Sequence, residues 1–246
     1  MKKLFFSIIA VLMFPFLSHG AEPVDNRIWA ALLANHVTDA RVDYDGFKKD
    51  EALLDQYLAI LSSTDPGALS RNHQFAFYIN AYNAFTIKLV LSRFPGINSI
   101  KEIGGFFSNP WNRKFIPLNR FTVSLDHIEH DILRPRFKDA RVHFAINCAS
   151  RSCPPLLDAP YEGSILENQL DRQTRRFINL RKNVFLRDGT LFVSPIFKWF
   201  EGDFVAGPLA FIRQHADDPL GQALDEAAAK GDIRLEYLDY DWSLNR

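Results

Sequence analysis

From Ser70 to Phe94 the chain reads SRNHQFAFYINAYNAFTIKLVLSRF, with apolar side chains on nearly every side of a helical wheel. A helix apolar all round cannot lie on a surface, so the segment predicts a buried central helix around which the rest must pack. Ser70 is a candidate N-cap, and Pro95-Gly96 stops the helix. Asn80, Tyr82 and Asn83 lie inside it. A buried amide without partners costs about 1–3 kcal/mol, so these groups need a task. Two are open: fixing neighbouring loops, or lining a cleft.

Around this helix the periodicity predicts other helices over 26–38, 48–62, 125–134, 164–180, 196–204, 207–216 and 219–230. Asp65-Pro66-Gly67 marks a turn, and Pro135 is expected to end the 125–134 helix. Val42-Asp43-Tyr44 reads as a brief extended piece. Short strands are expected at 121–123, 141–147, 183–187, 191–193 and 233–238. In the 141–147 strand, Val142, Phe144 and Ile146 would share one face, and His143, Ala145 and Asn147 the other. Asp188-Gly189 is a strong hairpin signal. The fold class is α+β, a mostly helical single domain with a buried central helix and a small sheet.

Lys2-Lys3, the uncharged run Leu4–Leu17 and the small residues Ser18 and Gly20 have the layout of a secretory signal over residues 1–20. That places the mature domain at 21–246 in the periplasm or outside the cell, and no later stretch is long enough to span a membrane. Basic and acidic residues number 29 each, which leaves no broad positive field to attract nucleic acid. In an oxidising compartment, Cys148 and Cys153 are expected to form a disulfide that chiefly fixes local shape.

Reactive side chains concentrate between Asp126 and Cys153. A cysteine nucleophile requires a base, and His143 lies on the segment that delivers Cys148, with Glu129 or Asn147 available to orient it. Against this, a straight strand puts His143 and Cys148 on opposite faces, and a disulfide sulfur cannot attack. His127, His130 and His143 could supply three metal ligands, but neither HExxH nor paired CxxC is present. No metal or other cofactor is assigned. Lys198 and Asp203 could pair or face a ligand, amid aromatics that are mostly core. Tyr240-Asp241-Trp242-Ser243 reads as an anchor for the C-terminus.

FYINAYNAFTIKLVL, LDHIEHDILR, RVHFAINCASRSCPPL and IFKWFEGDF, together with the ending LDYDWSLN, resemble the domain of unknown function 547 family. The resemblance extends from about Arg71 to the C-terminus and implies no agreed activity. It marks Asn80, Tyr82, Asn83, Glu129, His130 and His143 as family positions, with Asn147, Cys148, Cys153, Lys198, Trp199 and Asp203. His127 falls outside the pattern. A looser similarity is to the papain and transglutaminase fold, although the central helix offers Asn83 where that fold has cysteine.

Three functions remain open. The favoured one is a recognition module whose disulfide-shaped cleft, formed by Asn80, Asn83, His130, Asn147, Lys198 and Asp203, grips an unknown ligand or envelope partner. The second is a hydrolase or acyl transferase with His143 as base, Cys148 as nucleophile and Glu129 as orienter. The third is an envelope interaction protein without a small-molecule site.

Overall fold

The apolar segment becomes the axis of the molecule. In the computed structural model, which describes residues 23–104, 109–118 and 120–246, it forms one long helix, and every side chain from Gln74 to Ile87 is buried. The secretory signal expected over 1–20 lies outside the described residues. Among the described residues, no helix is long and apolar enough to cross a membrane.

Helix α1 (Arg27–His36) leads through the tiny hairpin β1 (Val37–Thr38) and β2 (Arg41–Val42) into α2 (Tyr44–Lys49) and α3 (Glu51–Ser63). Trp29 of α1 stacks on Tyr57 of α3 at 5.5 Å between ring centres. The extended reading of residues 42–44 holds only to Val42. Asp43 accepts a hydrogen bond from Gly46 N at 2.9 Å and so starts a short helix that periodicity could not register. The central helix is α4 (Arg71–Leu91). Ser70 stands at its N-cap, but its hydroxyl bonds His73 Nδ1 at 2.7 Å and caps no backbone N–H.

An antiparallel pair, β3 (Ile116–Leu118) and β4 (Phe121–Val123), follows. The helix expected at 125–134 is a π-helical coil over His127–Leu133 that continues as α5 (Arg134–Phe137). Pro135 does not end it. The coil changes type at Arg134, which places Pro135 in a first turn, where a missing N–H is tolerated. Lys138, in the left-handed region at φ 53°, stops the helix.

The strand expected at 141–147 is absent. Ala140–Phe144 forms a 3-10 helix, with Asp139 accepting from Arg141 N at 2.9 Å. Alternation misled here because the segment joins two cores and is buried on both sides. Val142 packs in the large apolar cluster around α4, and Phe144 in a second cluster with Phe177, Phe197 and Phe204.

Helix α6 (Leu166–Ile178) precedes the hairpin β5 (Val184–Arg187) and β6 (Thr190–Val193). Asp188 and Gly189 both take positive φ, 50° and 71°, as a tight hairpin turn requires. The helix expected at 196–204 is split into α7 (Ile196–Trp199) and a 3-10 turn, Glu201–Asp203. Then come α8 (Gly207–His215), α9 (Leu220–Lys230) and β7 (Arg234–Tyr237), which pairs parallel to β6. The result is a mostly helical α+β domain whose strands form separate small sheets. The C-terminus is strapped down: Leu244 N bonds Asn98 O, and Asn245 N bonds Ala149 O.

Candidate functional site

His143 sits on the 3-10 turn between the two cores, with only 1% of its side chain exposed. Its Nε2 donates to Asp203 Oδ2 at 2.7 Å. Arg134 grips the same carboxylate with two bonds, Nε to Oδ2 at 2.6 Å and Nη2 to Oδ1 at 3.1 Å. The hydrogen bonds from His143 and Arg134 hold the Asp203 carboxyl far below the usual carboxylate range. Burial pushes the His143 pKa down, against the pull of Asp203, so at neutral pH the ring is uncharged. Because Asp203 can only accept, Nε2 carries the hydrogen and Nδ1 presents a lone pair. Phe200 covers the imidazole face at 3.9 Å. Nδ1 is buried and has no hydrogen-bond partner.

The nearest acid to that lone pair is Glu129, whose Oε1 lies 4.0 Å away. Glu129 points inward from the π-helical coil and is buried. Burial, reinforced by the charges of Asp126 and Asp203, raises its pKa to about 7, while a hydrogen bond with Tyr82 of α4 pulls the other way. Asp126, one turn earlier, is also raised by burial. His130 accepts from Arg134 Nη1 at 2.9 Å. Three carboxyls, two imidazoles and a guanidinium therefore converge, with Asp203 brought in from 60 residues beyond His143.

Asp126, Glu129, His130 and His143 line a cleft of about 210 Å³ whose far edge is the Cys148–Cys153 disulfide. The Cα atoms of the two cysteines are 6.0 Å apart, and Cys153 Sγ accepts from Cys148 N at 2.7 Å. Cys148 Sγ also lies 3.2 Å from the Tyr240 hydroxyl. Around the mouth, Tyr240 packs against Trp199 at 4.8 Å and Trp242 at 4.5 Å between ring centres. Trp199 remains 47% exposed, unusual for so large an apolar side chain. The Tyr240-Trp242 segment thus both anchors the C-terminus and builds a wall.

Several residues expected on the cleft wall stand elsewhere. Asn80 Nδ2 donates to Tyr161 O at 2.8 Å, and its Oδ1 accepts from Tyr161 N at 2.9 Å. Asn83 clamps Ala145 O and Asn147 N in the same way. Asn147 donates to Pro154 O and accepts from Ala149 N, which holds the disulfide loop with Ala149 at a positive φ of 64°. The three amides fix loops and none lines the cleft, because each is saturated by backbone groups. Lys198 is exposed, its ammonium 5.4 Å from the centre of the Tyr237 ring, and does not pair with Asp203. Asp203 instead joins Arg134 and His143.

His143 and Cys148 do line one cleft, since the strand that would have set them on opposite faces does not form. With both sulfurs bonded to each other, Cys148 has no thiolate to attack with. The arrangement leaves the papain similarity a loose one. His127 turns outward to Asp131 at 2.7 Å. Among the described residues, no group of three or more His, Cys, Asp or Glu is placed to hold a metal ion.

Sequence reasoning missed Arg134 and Tyr240. Arg134 lies 69 positions from its partner Asp203, and no local signal spans that distance. Replacing Asp203 by Asn should cost about 2–3 kcal/mol, because Arg134 would lose its carboxylate and His143 a charged acceptor. A shift of the urea midpoint worth under 0.5 kcal/mol would deny the triad a structural role.

No curated protein and no solved structure matches the chain. Residues 66–178 match the model of a family described as "Protein of unknown function, DUF547". The matched stretch begins at the turn before α4 and ends with α6, so it includes Tyr82, Glu129, His143 and both cysteines. IFKWFEGDF and LDYDWSLN, which add Asp203 and Tyr240, lie beyond it. The family matched over residues 66–178 is the one that the chain's motifs resemble.

Proposed function

We propose that this protein is an exported recognition module that holds a small ligand in the cleft between His143 and the Cys148–Cys153 disulfide. The observation that carries the reading is the buried Nδ1 of His143, an acceptor without a partner on the wall of a cleft. A buried polar atom left unpaired costs free energy, and a ligand that donates to it removes that cost. Glu129 and His130 would supply further polar contacts. Asp203 would act at one remove by fixing the His143 tautomer, and Trp199 and Tyr240 would cover the ligand's apolar parts. Export is supported by the basic and apolar N-terminal sequence and by the disulfide, which persists in oxidising compartments.

Native protein should show no free thiol before reduction and two after it, by thiol titration in denaturant. Thermal-shift screening of the oxidised protein with amines, sugars, carboxylic acids and short peptides should yield stabilising compounds. Their effect should vanish in Trp199→Ala, a substitution at an exposed position. Hydrolysis of chromogenic esters or amides by the reduced protein, lost in Cys148→Ser, would replace the recognition reading with the hydrolase.

A further inference from the structure

The cleft holds acceptors and negative charge but little to match them. Among the described residues, neither Asp126 nor Glu129 has a lysine or arginine partner. The guanidinium of Arg134 is committed to Asp203 and to the His130 ring. His143 Nδ1 is a buried acceptor with nothing to accept from. The rim is built from indole and phenol rings, whose electron-rich faces attract cations. One of them already holds a cation, since the ammonium of Lys101 sits 3.6 Å from the centre of the Trp242 ring.

We propose that the cleft binds an organic ammonium ion bearing N–H hydrogens, a primary or secondary amine with a short apolar body. Its N–H groups would meet His143 Nδ1 and the carboxylates of Glu129 and Asp126, and its body would lie against Trp199 and Tyr240. The proposal rests on the recognition reading and names its ligand class.

Other classes satisfy fewer of these groups. A neutral hydroxyl compound can donate to Nδ1 but leaves both carboxylates without a counter-charge. A quaternary ammonium supplies charge and suits the aromatic faces, yet has no hydrogen for Nδ1. An anion meets two carboxylates. A volume of about 210 Å³ suits an ammonium head with a few carbons.

Titration of Glu129 gives the proposal a pH signature. The groups facing it are Asp126, His130 and Arg134 from its own coil, Tyr82 from α4, His143, Asp203 and Tyr240. Its pKa of about 7 means that a bound cation would draw a proton off. Affinity should therefore rise between pH 5.5 and 8, because Glu129 ionises over that range while an alkylamine stays charged.

The test uses the full oxidised protein and follows tryptophan fluorescence and binding heat at pH 7.5. Ligands are n-butylamine, n-pentylamine, 1,5-diaminopentane and benzylamine, with n-pentanol and tetramethylammonium as controls. We expect saturable binding by at least one amine, and at least tenfold weaker binding by both controls. Affinity should fall about tenfold in Asp126→Asn, whose thermal melt shows whether the fold is kept, and Trp199→Ala provides a second, exposed position. It should rise at least fivefold from pH 5.5 to 8. Binding by n-pentanol equal to that of n-pentylamine, or an affinity indifferent to Asp126→Asn, overturns the proposal. If no amine binds but compounds of another class stabilise the protein in a Trp199-dependent way, this inference fails and the recognition reading stands. If nothing in any class binds, both fail.

Discussion

Replacing Asn83 by alanine should destabilise the protein by about 2–6 kcal/mol, a large fraction of what a domain of this size possesses. The side chain is 3% exposed and makes two bonds that nothing else can replace. Its Nδ2 donates to Ala145 O at 3.0 Å, and its Oδ1 accepts from Asn147 N at 2.8 Å. Both backbone groups are buried, so truncation strands a carbonyl and an N–H at about 1–3 kcal/mol each. The effect should reach the cleft as well. Asn147 holds Ala149 and Pro154, so a loosened Asn147 frees the disulfide loop. Urea unfolding with the m-value unchanged would measure the loss. A loss under 1 kcal/mol would mean that water replaces the amide and that Asn83 is no clamp.

Glu129→Gln should behave in the opposite way and stabilise the protein, but only above mildly acidic pH. The pKa of Glu129 is about 7 in the folded protein, against 4.5 for the ordinary group. A raised folded value means that the native state binds the proton more tightly than the unfolded chain. Below pH 4.5 both states are protonated and no penalty arises. Between about 4.5 and 7 the unfolded chain releases its proton first, so stability falls as pH rises, and above 7 the loss is complete. At about 1.4 kcal/mol per pH unit the whole gap amounts to about 3 kcal/mol.

Glutamine keeps the shape and a partner for Tyr82 but cannot ionise. Wild type and variant should therefore melt together at pH 4, and the variant should be more stable by up to about 3 kcal/mol at pH 8. The lowered pKa of His143 acts in the reverse sense, but it is shared by both proteins and largely cancels in the difference. Equal stability at both pH values would show that Glu129 is not strained. Such a penalty is tolerated where a ligand uses the group, and the variant should lose amine binding while it gains stability.

How far the sequence could be read follows from how local each signal is. Helix α4 was legible because an apolar surface on every side needs no knowledge of neighbours to require burial. The Asp188-Gly189 hairpin was legible because positive φ is a property of those two residues. The cysteine pair was legible from its short separation. Residues 141–147 were misread because a strand with one wet face and a turn wedged between two cores can carry the same alternation of side chains. Pro135 was misread because its effect depends on whether the coil around it is α or π.

The amides in α4 show the division most clearly. Their presence inside an apolar helix demanded partners, and that followed from desolvation alone. Which partners they found, the backbone of Tyr161, Ala145 and Asn147, was decided by how the later loops fold back over the helix.

By itself the sequence determined a helix that must be buried, a mostly helical α+β domain around it, and a loop closed by two sulfurs. Only the tertiary structure decided that His143 is held by Asp203, which Arg134 grips in turn, that it faces Glu129, and that one of its nitrogens has no partner. The reason is physical. Burial and turn preferences act over a few residues, whereas pairing between charges depends on distances through space that no short stretch of chain records.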